Sequence, residues 1–409
     1  MEWLTLVPPL SLALAGACGA VERPADGRAR WWVIGALAGT AAAVSAALAW
    51  LLAVTDRPAL HLPLSPWSNA VFTGDPALDV DARGAACMAA VGVLALMAVV
   101  RAPRADRSLG VALLVAAAST LFIAAARTPL GLVSSWLLLD AALFFGPRVG
   151  RRGLLASQLG LLCVLAALMG LPIDAATIDA TAPSAWTRAW LAGAAAARMG
   201  LYPLWWTVPR ASETTVRFMP ATRLAPMAAG AYLLLAATPG ELGAPFSAIV
   251  AALGMVAAWA GAGLAWSAGR GEAAVDWGLV HLGGVMLVAA ALPGPFGPPV
   301  AMLMWVEAMV FGMVAYGGRD LPSAAAQWAG RLAAASAAGV MLGAGLAGRW
   351  LVVQTALARD MPQVAVLTAL SAAPAVARWA RGTGEPVRAG ASSGAAGAAA
   401  VGAVALNVA

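Results

Sequence analysis

Four ionisable residues sit inside long apolar runs of this sequence. They are Asp140 in Ser134-Ser-Trp-Leu-Leu-Leu-Asp140, Arg198 in Arg198-Met-Gly-Leu-Tyr-Pro-Leu, His281 in Asp276-Trp-Gly-Leu-Val-His-Leu-Gly-Gly284, and Glu307 in Trp305-Val-Glu-Ala-Met-Val-Phe311. An ionisable side chain at membrane depth is costly, so it normally faces a bundle interior or a watery cavity and marks a proton or ion route. Asp140 is either a protonatable site or a structural acid held by a partner, and Arg198 is its natural counter-charge. His281 is either a packing residue with satisfied ring nitrogens or, near a carboxylate, a proton relay. Glu307 is a second buried acid. For Arg198 the alternative is a kinked packing helix with a snorkelling arginine. Spread over separate runs, the four point to a lateral polar axis for protons or cations rather than to a catalytic pocket.

Other chemistry has little to work with. There is no glycine-rich phosphate loop, no nucleophile–base pair and no cluster with metal-ligand spacing. Cys18, Cys87 and Cys163 stand singly in apolar segments, so they read as packing residues. No cofactor and no catalytic or redox site is expected in this chain. The net charge of +6 comes with 25 basic residues, all arginine, set in short loops between apolar runs. That pattern is not a nucleic-acid footprint.

The elements that must position these residues follow from composition. Of 409 residues, 62% are hydrophobic and 11% charged, and the mean hydropathy is +0.82. Such a chain is an all-α, polytopic transmembrane bundle whose surroundings are membrane lipid. The apolar runs predict about 12–14 spans, treated as a single transmembrane domain over residues 1–409: Trp3–Val21 (a retained span, since Glu2 precedes it), Trp31–Thr55, Gly84–Val100, Ser108–Ala126, Pro129–Gly146, Gly153–Ile173, Arg188–Val208, Pro220–Thr238, Ala244–Ala268, Ala273–Leu292, Pro298–Tyr316, Ala324–Leu346 and Pro362–Trp379. Pro203 predicts a broken helix beside Arg198, because proline lacks the backbone donor. The Arg359-Asp360 pair interrupts the chain before the last of these runs, and the Ala/Gly-rich tail from Ala391 is a faint last helix or unordered. The segment Asp56–Asp81 reads as a short hairpin or irregular external cap. Alternate loops hold 14 arginines against 4 on the opposite side. The positive-inside rule then puts the N-terminus outside.

The run Arg198-Met-Gly-Leu-Tyr-Pro-Leu-Trp-Trp-Thr-Val-Pro209, followed by Ala229-Gly-Ala-Tyr-Leu-Leu-Leu235, resembles the central signature of the proton-conducting antiporter-like membrane subunits. These are the large membrane subunits of respiratory complex I, Mrp-type antiporters and membrane-bound hydrogenases. Val280-His-Leu-Gly283 and Glu307-Ala-Met-Val-Phe311 continue the likeness in order, over about residues 78–320; residues 321–409 form divergent C-terminal helices. The resemblance implies a subunit of a hetero-oligomeric complex in a bacterial inner membrane. It would have other membrane subunits and protons or monovalent cations as partners, as part of a redox-driven proton translocase of the NADH-quinone oxidoreductase type. It also implies that Asp140 and Arg198 meet, as the family's fifth and seventh helices do. The departures are specific. Leu137 stands at the family's glutamate, with Asp140 three residues on along a neighbouring part of the face. Arg198, Ala228 and Glu307 replace family lysines, and Trp205 replaces a histidine. Arginine does not surrender its proton as lysine can, so two alternatives stay open: a non-conducting scaffold subunit, and a proton-coupled membrane partner of an inorganic-carbon uptake system.

Overall fold

The computed structural model describes residues 2–20, 27–63, 77–101, 107–145, 151–171, 177–178, 184–205, 218, 220–237, 244–268, 272–292, 296–317, 324–340 and 343–383. With no water in a bilayer core, a spanning segment must satisfy its backbone internally, and apolar runs therefore become helices. Among the described residues the chain forms a 3-10 turn Glu2–Leu6 and fourteen α-helices, in the order α1 Val7–Ala20, α2 Gly27–Thr55, α3 Ala82–Arg101, α4 Arg107–Ala125, α5 Pro129–Phe145, α6 Arg151–Leu168, α7 Ala185–Met199, α8 Ala225–Ala237, α9 Ala244–Ser267, α10 Glu272–Ala291, α11 Gly297–Gly317, α12 Ala324–Ala338, α13 Ala344–Leu357 and α14 Pro362–Thr383. Among the described residues, seven helical segments are long and apolar enough to cross a membrane: 2–20, 30–55, 82–101, 108–125, 245–267, 273–291 and 297–316. The chain is a multi-pass helical membrane bundle with a break near Pro203.

Contacts divide the chain into two compact units, Met1–Gly200 with Trp206–Ala237, and Leu201–Trp205 with Thr238–Ala409. Each is held by close backbone approach, which small residues permit where lipid supplies no hydrophobic drive for association. In the first unit, a Cβ on Gly19 of α1 would lie 2.6 Å from the Cα of Gly110 on α4, and one on Gly92 of α3 would lie 2.7 Å from the Cα of Ala42 on α2. Gly160 of α6 faces the Trp136 ring at 2.6 Å and the Ala197 methyl at 2.9 Å by the same measure, which fixes how near α6 comes to α5 and α7. In the second unit, Gly254 and Gly261 of α9 meet α10, where a Cβ on Gly261 would strike the backbone of His281.

The segment between α2 and α3 is a hairpin, as the turn-rich composition predicts. Strand β1 (Leu60–Pro63) pairs antiparallel with β2 (Ala77–Val80), Leu60 opposite Val80 and Pro63 opposite Ala77. Arg127, between α4 and α5, clamps it through Asp79 at 3.5 Å and Asp81 at 4.0 Å, while Thr128 Oγ1 donates to the Ala77 carbonyl at 3.1 Å.

Three readings of the sequence are corrected. The helix carrying Arg198 stops at Met199 rather than running on; Gly200 takes a left-handed conformation (φ 66°) as its C-terminal cap, a role that favours glycine. The break thus falls before Pro203, and the expected continuation to residue 208 lies outside the described residues. The single run Ala324–Leu346 is two helices, α12 and the start of α13, because Gly339 turns the chain at φ 76°. Arg223, one of the 14 arginines counted in alternate loops although the run Pro220–Thr238 contains it, is 2% exposed in a π-helical turn, Pro220–Leu224, leading into α8. The interruption at Arg359-Asp360 is present as a turn, with Asp360 at φ 54°. The tail from Ala391 lies outside the described residues.

The Gly160 contact makes a direct prediction. Gly160→Leu forces α6 off the Trp136 ring, and overpacking of this kind costs about 1–3 kcal/mol. The thermal midpoint of the purified protein in detergent falls accordingly, whereas a leucine at Gly39, whose Cβ position is open, leaves it unchanged.

Candidate functional site

In the first unit the site begins on α5. Trp136 and Asp140 are four residues apart, so they share one face of the helix, and both are buried. Leu137, which the resemblance sets against a glutamate, is 47% exposed while Asp140 is 6% exposed. The expectation that they share a face is therefore corrected: the helix turns Leu137 outward and the acid inward. The opposing helix α7 starts at Ser184, whose side chain accepts from the Thr187 amide at 3.2 Å, and ends just after Arg198. A cation in the last turn meets the negative end of the helix dipole. Arg223 Nη1 donates to the Met199 carbonyl at 3.1 Å, supplying a partner to a helix end that would otherwise leave a buried acceptor bare.

Arg198 and Asp140 meet as the resemblance implies. Nη1 lies 2.7 Å from Asp140 Oδ1, with side chains 3% and 6% exposed. The carboxylate also accepts from Ser157 Oγ at 2.6 Å and from Gln158 Nε2 at 3.3 Å, both on α6. Arg198 Nη2 donates to the Trp136 carbonyl at 3.3 Å. Its guanidinium carbon sits 3.8 Å from the centre of the Trp136 ring and 5.7 Å from that of Phe122, a cation–π setting that compensates a desolvated charge. The acid is thus held by three donors, and the cation by a carboxylate, a carbonyl and two rings.

A second cluster lies in the other unit. His281 on α10 is 2% exposed; its Nδ1 lies 2.8 Å from the Ala258 carbonyl of α9 and its Nε2 lies 2.6 Å from Arg349 Nη2 of α13. The same Nη2 donates to the Ala337 carbonyl at the end of α12, at 2.5 Å. Glu307 on α11 is fully buried, accepts from Ser336 Oγ at 3.1 Å and interacts electrostatically with Arg349. It also lies against Gly345, where a Cβ would come within 3.2 Å of the carboxyl carbon. The break between α12 and α13 therefore has an arginine at its carbonyl end and a glutamate at its amide end, the arrangement that helix dipoles favour. Near the start of α10, Tyr316 donates to Asp276, and Trp205 packs on Trp277 with ring centres 4.8 Å apart.

Arg349 was not among the residues singled out from sequence. It stands in Leu346-Ala-Gly-Arg-Trp-Leu-Val-Val353, a charge in an apolar run like the other four, and it was hidden because the boundaries around it were misplaced. Ala228, which the resemblance sets against a lysine, is buried. Among the described residues, no three His, Cys, Asp or Glu side chains gather as a metal site.

No family model and no curated protein sequence matches the chain; solved structures do. A chain of the archaeal membrane-bound sulfane sulfur reductase, a respiratory membrane complex, superposes with TM-score 0.77 at 18% identity over 100% of this chain and 75% of that one. A chain of the Mrp complex from a Dietzia species gives TM-score 0.72 at 15% identity, over 96% and 81%. A chain of respiratory complex I from Thermus thermophilus gives 0.72 at 17% identity, over 99% and 94%.

The Asp140–Arg198 pair is testable through stability. Breaking a buried pair by removing one partner costs about 3–5 kcal/mol, whereas replacing both with apolar groups is often neutral. Asp140→Leu and Arg198→Met each lower the thermal midpoint in detergent, and the double variant recovers most of the loss. Additive losses in the double variant contradict the pairing. The chain has the fold of these chains of respiratory and Mrp membrane complexes.

Proposed function

We propose that the chain is an antiporter-like subunit of a larger complex in a bacterial inner membrane, oriented N-terminus out, which passes protons along a buried polar path. Asp140, His281 and Glu307 would be the proton-handling groups, with Arg198 as a fixed charge. The observation that carries this reading is the Asp140–Arg198 pair, two ionised side chains 3% and 6% exposed inside the first unit. Apolar residues of similar volume would hold the same helices as well or better, so the pair is better accounted for by a use of its charge than by stability. At membrane depth that use is the handling of protons or ions.

The donors around Asp140 indicate how it would work. A guanidinium keeps its proton under essentially all conditions, so the acid is the member of the pair that can change charge. When Asp140 takes up a proton, its ion pair with Arg198 is lost. The uncompensated guanidinium then draws on the Trp136 carbonyl and ring that already face it. Losing the proton restores the pair. Arg198 would act as an electrostatic lever instead of the proton carrier that a lysine could be, and Ser157 and Gln158 hold the carboxylate in position throughout.

One observation favours the scaffold reading instead. The cations of both buried clusters are arginines, and both ring nitrogens of His281 are engaged, so no cation in either cluster gives up a proton easily. The test uses the complex co-purified with its companion subunits and reconstituted in liposomes. Asp140→Asn keeps shape and hydrogen bonding but removes the titrating charge. Proton flux falls by about tenfold or more, the scale on which a positioned acid–base group acts, with subunit composition by mass spectrometry unchanged. Undiminished flux with intact assembly assigns the chain to the scaffold role.

A further inference from the structure

The hydrogen bonds around His281 determine where its proton sits. The Ala258 carbonyl has no hydrogen to offer, so Nδ1, at 2.8 Å, must be the donor. Arg349 is a donor at every nitrogen, so Nε2, at 2.6 Å from Nη2, must be the acceptor. Both hydrogens of Nη2 are then used, one on Nε2 and one on the Ala337 carbonyl at 2.5 Å. Its Nε and Nη1 make no hydrogen bond to the described residues, so among them the imidazole and that carbonyl are the hydrogen-bond partners that fix the head group. We infer that Arg349 is a positioning residue that holds His281 as the neutral Nδ1–H tautomer and covers the nitrogen at which an arriving proton would have to land.

In the proposed path the cover would move, and the titratable groups around it are few. On His281's own helix the titratable neighbour is Asp276, occupied by Tyr316. Helix α9 brings no titratable side chain, α11 brings Glu307 and Tyr316, and α13 brings Arg349. Glu307 already interacts electrostatically with Arg349. The guanidinium is hydrogen-bonded to the imidazole and to the α12 carbonyl end, and the Glu307 carboxylate attracts the same charge without a hydrogen bond to it. While Arg349 rests on His281, the ring cannot take a second proton. When it turns to Glu307, Nε2 is bared. Gly339 lies beside this movement, with its Cβ position 2.9 Å from Nη1, so any side chain there would press on the arginine. This deepens the proton-path reading and rests on it for the consequence in flux, making His281 a gated member of the path. The tautomer itself is independent of that reading.

The chain has only two histidines, and His61 is exposed on the hairpin, so nitrogen NMR on ¹⁵N-histidine-labelled complex with His61→Gln reports His281 alone. The expected spectrum has a protonated Nδ1 and a bare, hydrogen-bonded Nε2, unchanged between about pH 5 and 8, the range in which a free imidazole changes charge. Arg349→Met lets the ring titrate across that range, and Arg349→Lys, which keeps a donor at the same place, restores the bare, hydrogen-bonded Nε2. A wild-type ring that carries its proton on Nε2, or that gains a second proton in that range, overturns the inference, and this holds even if Arg349→Met fails to assemble. Should flux be absent in every variant while the wild-type nitrogens keep the stated pattern, the lock stands and it is the conduction reading that falls.

Discussion

The constraint on which this structure depends is the price of placing charge where there is no water. An ionisable group in a low-dielectric interior is costly unless it is paired and hydrogen-bonded. In the first unit, that requirement accounts for why α5, α6 and α7 lie as they do. Asp140 needs Arg198 from α7 and the Ser157 and Gln158 side chains from α6. Those contacts require α6 to come close, which Gly160 permits against Trp136. The same requirement fixes the end of α7, where Gly200 and Arg223 satisfy the terminal carbonyls beside the charged pair. In the second unit, Arg349 and Glu307 answer to the same rule at the two ends of the α12–α13 break.

Arginine gives the two clusters their character. A lysine in hydrocarbon can neutralise itself by losing a proton; a guanidinium stays charged and needs an anion, a carbonyl or a ring face around it. Arg198 has a carboxylate, a carbonyl and two aromatic rings within reach. Arg349 has an imidazole nitrogen and a helix-end carbonyl. In the proposed proton path, the groups that change charge would be the acids and the histidine, with the arginines as fixed charges beside them. The account therefore treats the replaced lysines as a change in which partner titrates, not as the loss of the polar centre.

Much of this was legible in the residues themselves. Apolar runs marked the helices through α11, the C-terminal end of α7 excepted, because a bilayer leaves the backbone no other economical structure. The turn-rich stretch before α3 marked the hairpin, and the isolated charges marked Asp140, Arg198, His281 and Glu307. The illegible parts share a cause. Ala324–Leu346 has no proline and no charge after Arg331, so its alanine-rich pattern concealed a break that depends on a left-handed Gly339. With that break misplaced, Arg349 fell outside any recognised span. Arg223 lay in a segment dense in polar residues, and only its tertiary contact with the Met199 carbonyl shows that it is interior. Likewise, spacing alone could not tell whether Asp140 or Leu137 faced the core, since two residues three apart on a helix straddle the boundary of a buried face.

The central claim is that Asp140 changes protonation during turnover while Arg198 keeps its charge. Infrared difference spectroscopy on the working complex reads this most directly, because a carboxylic acid and a carboxylate absorb separately. The account predicts a carboxylic-acid signal that appears and disappears with turnover and is absent in Asp140→Asn. A working complex whose difference spectrum holds no carboxyl change assignable to Asp140 contradicts it.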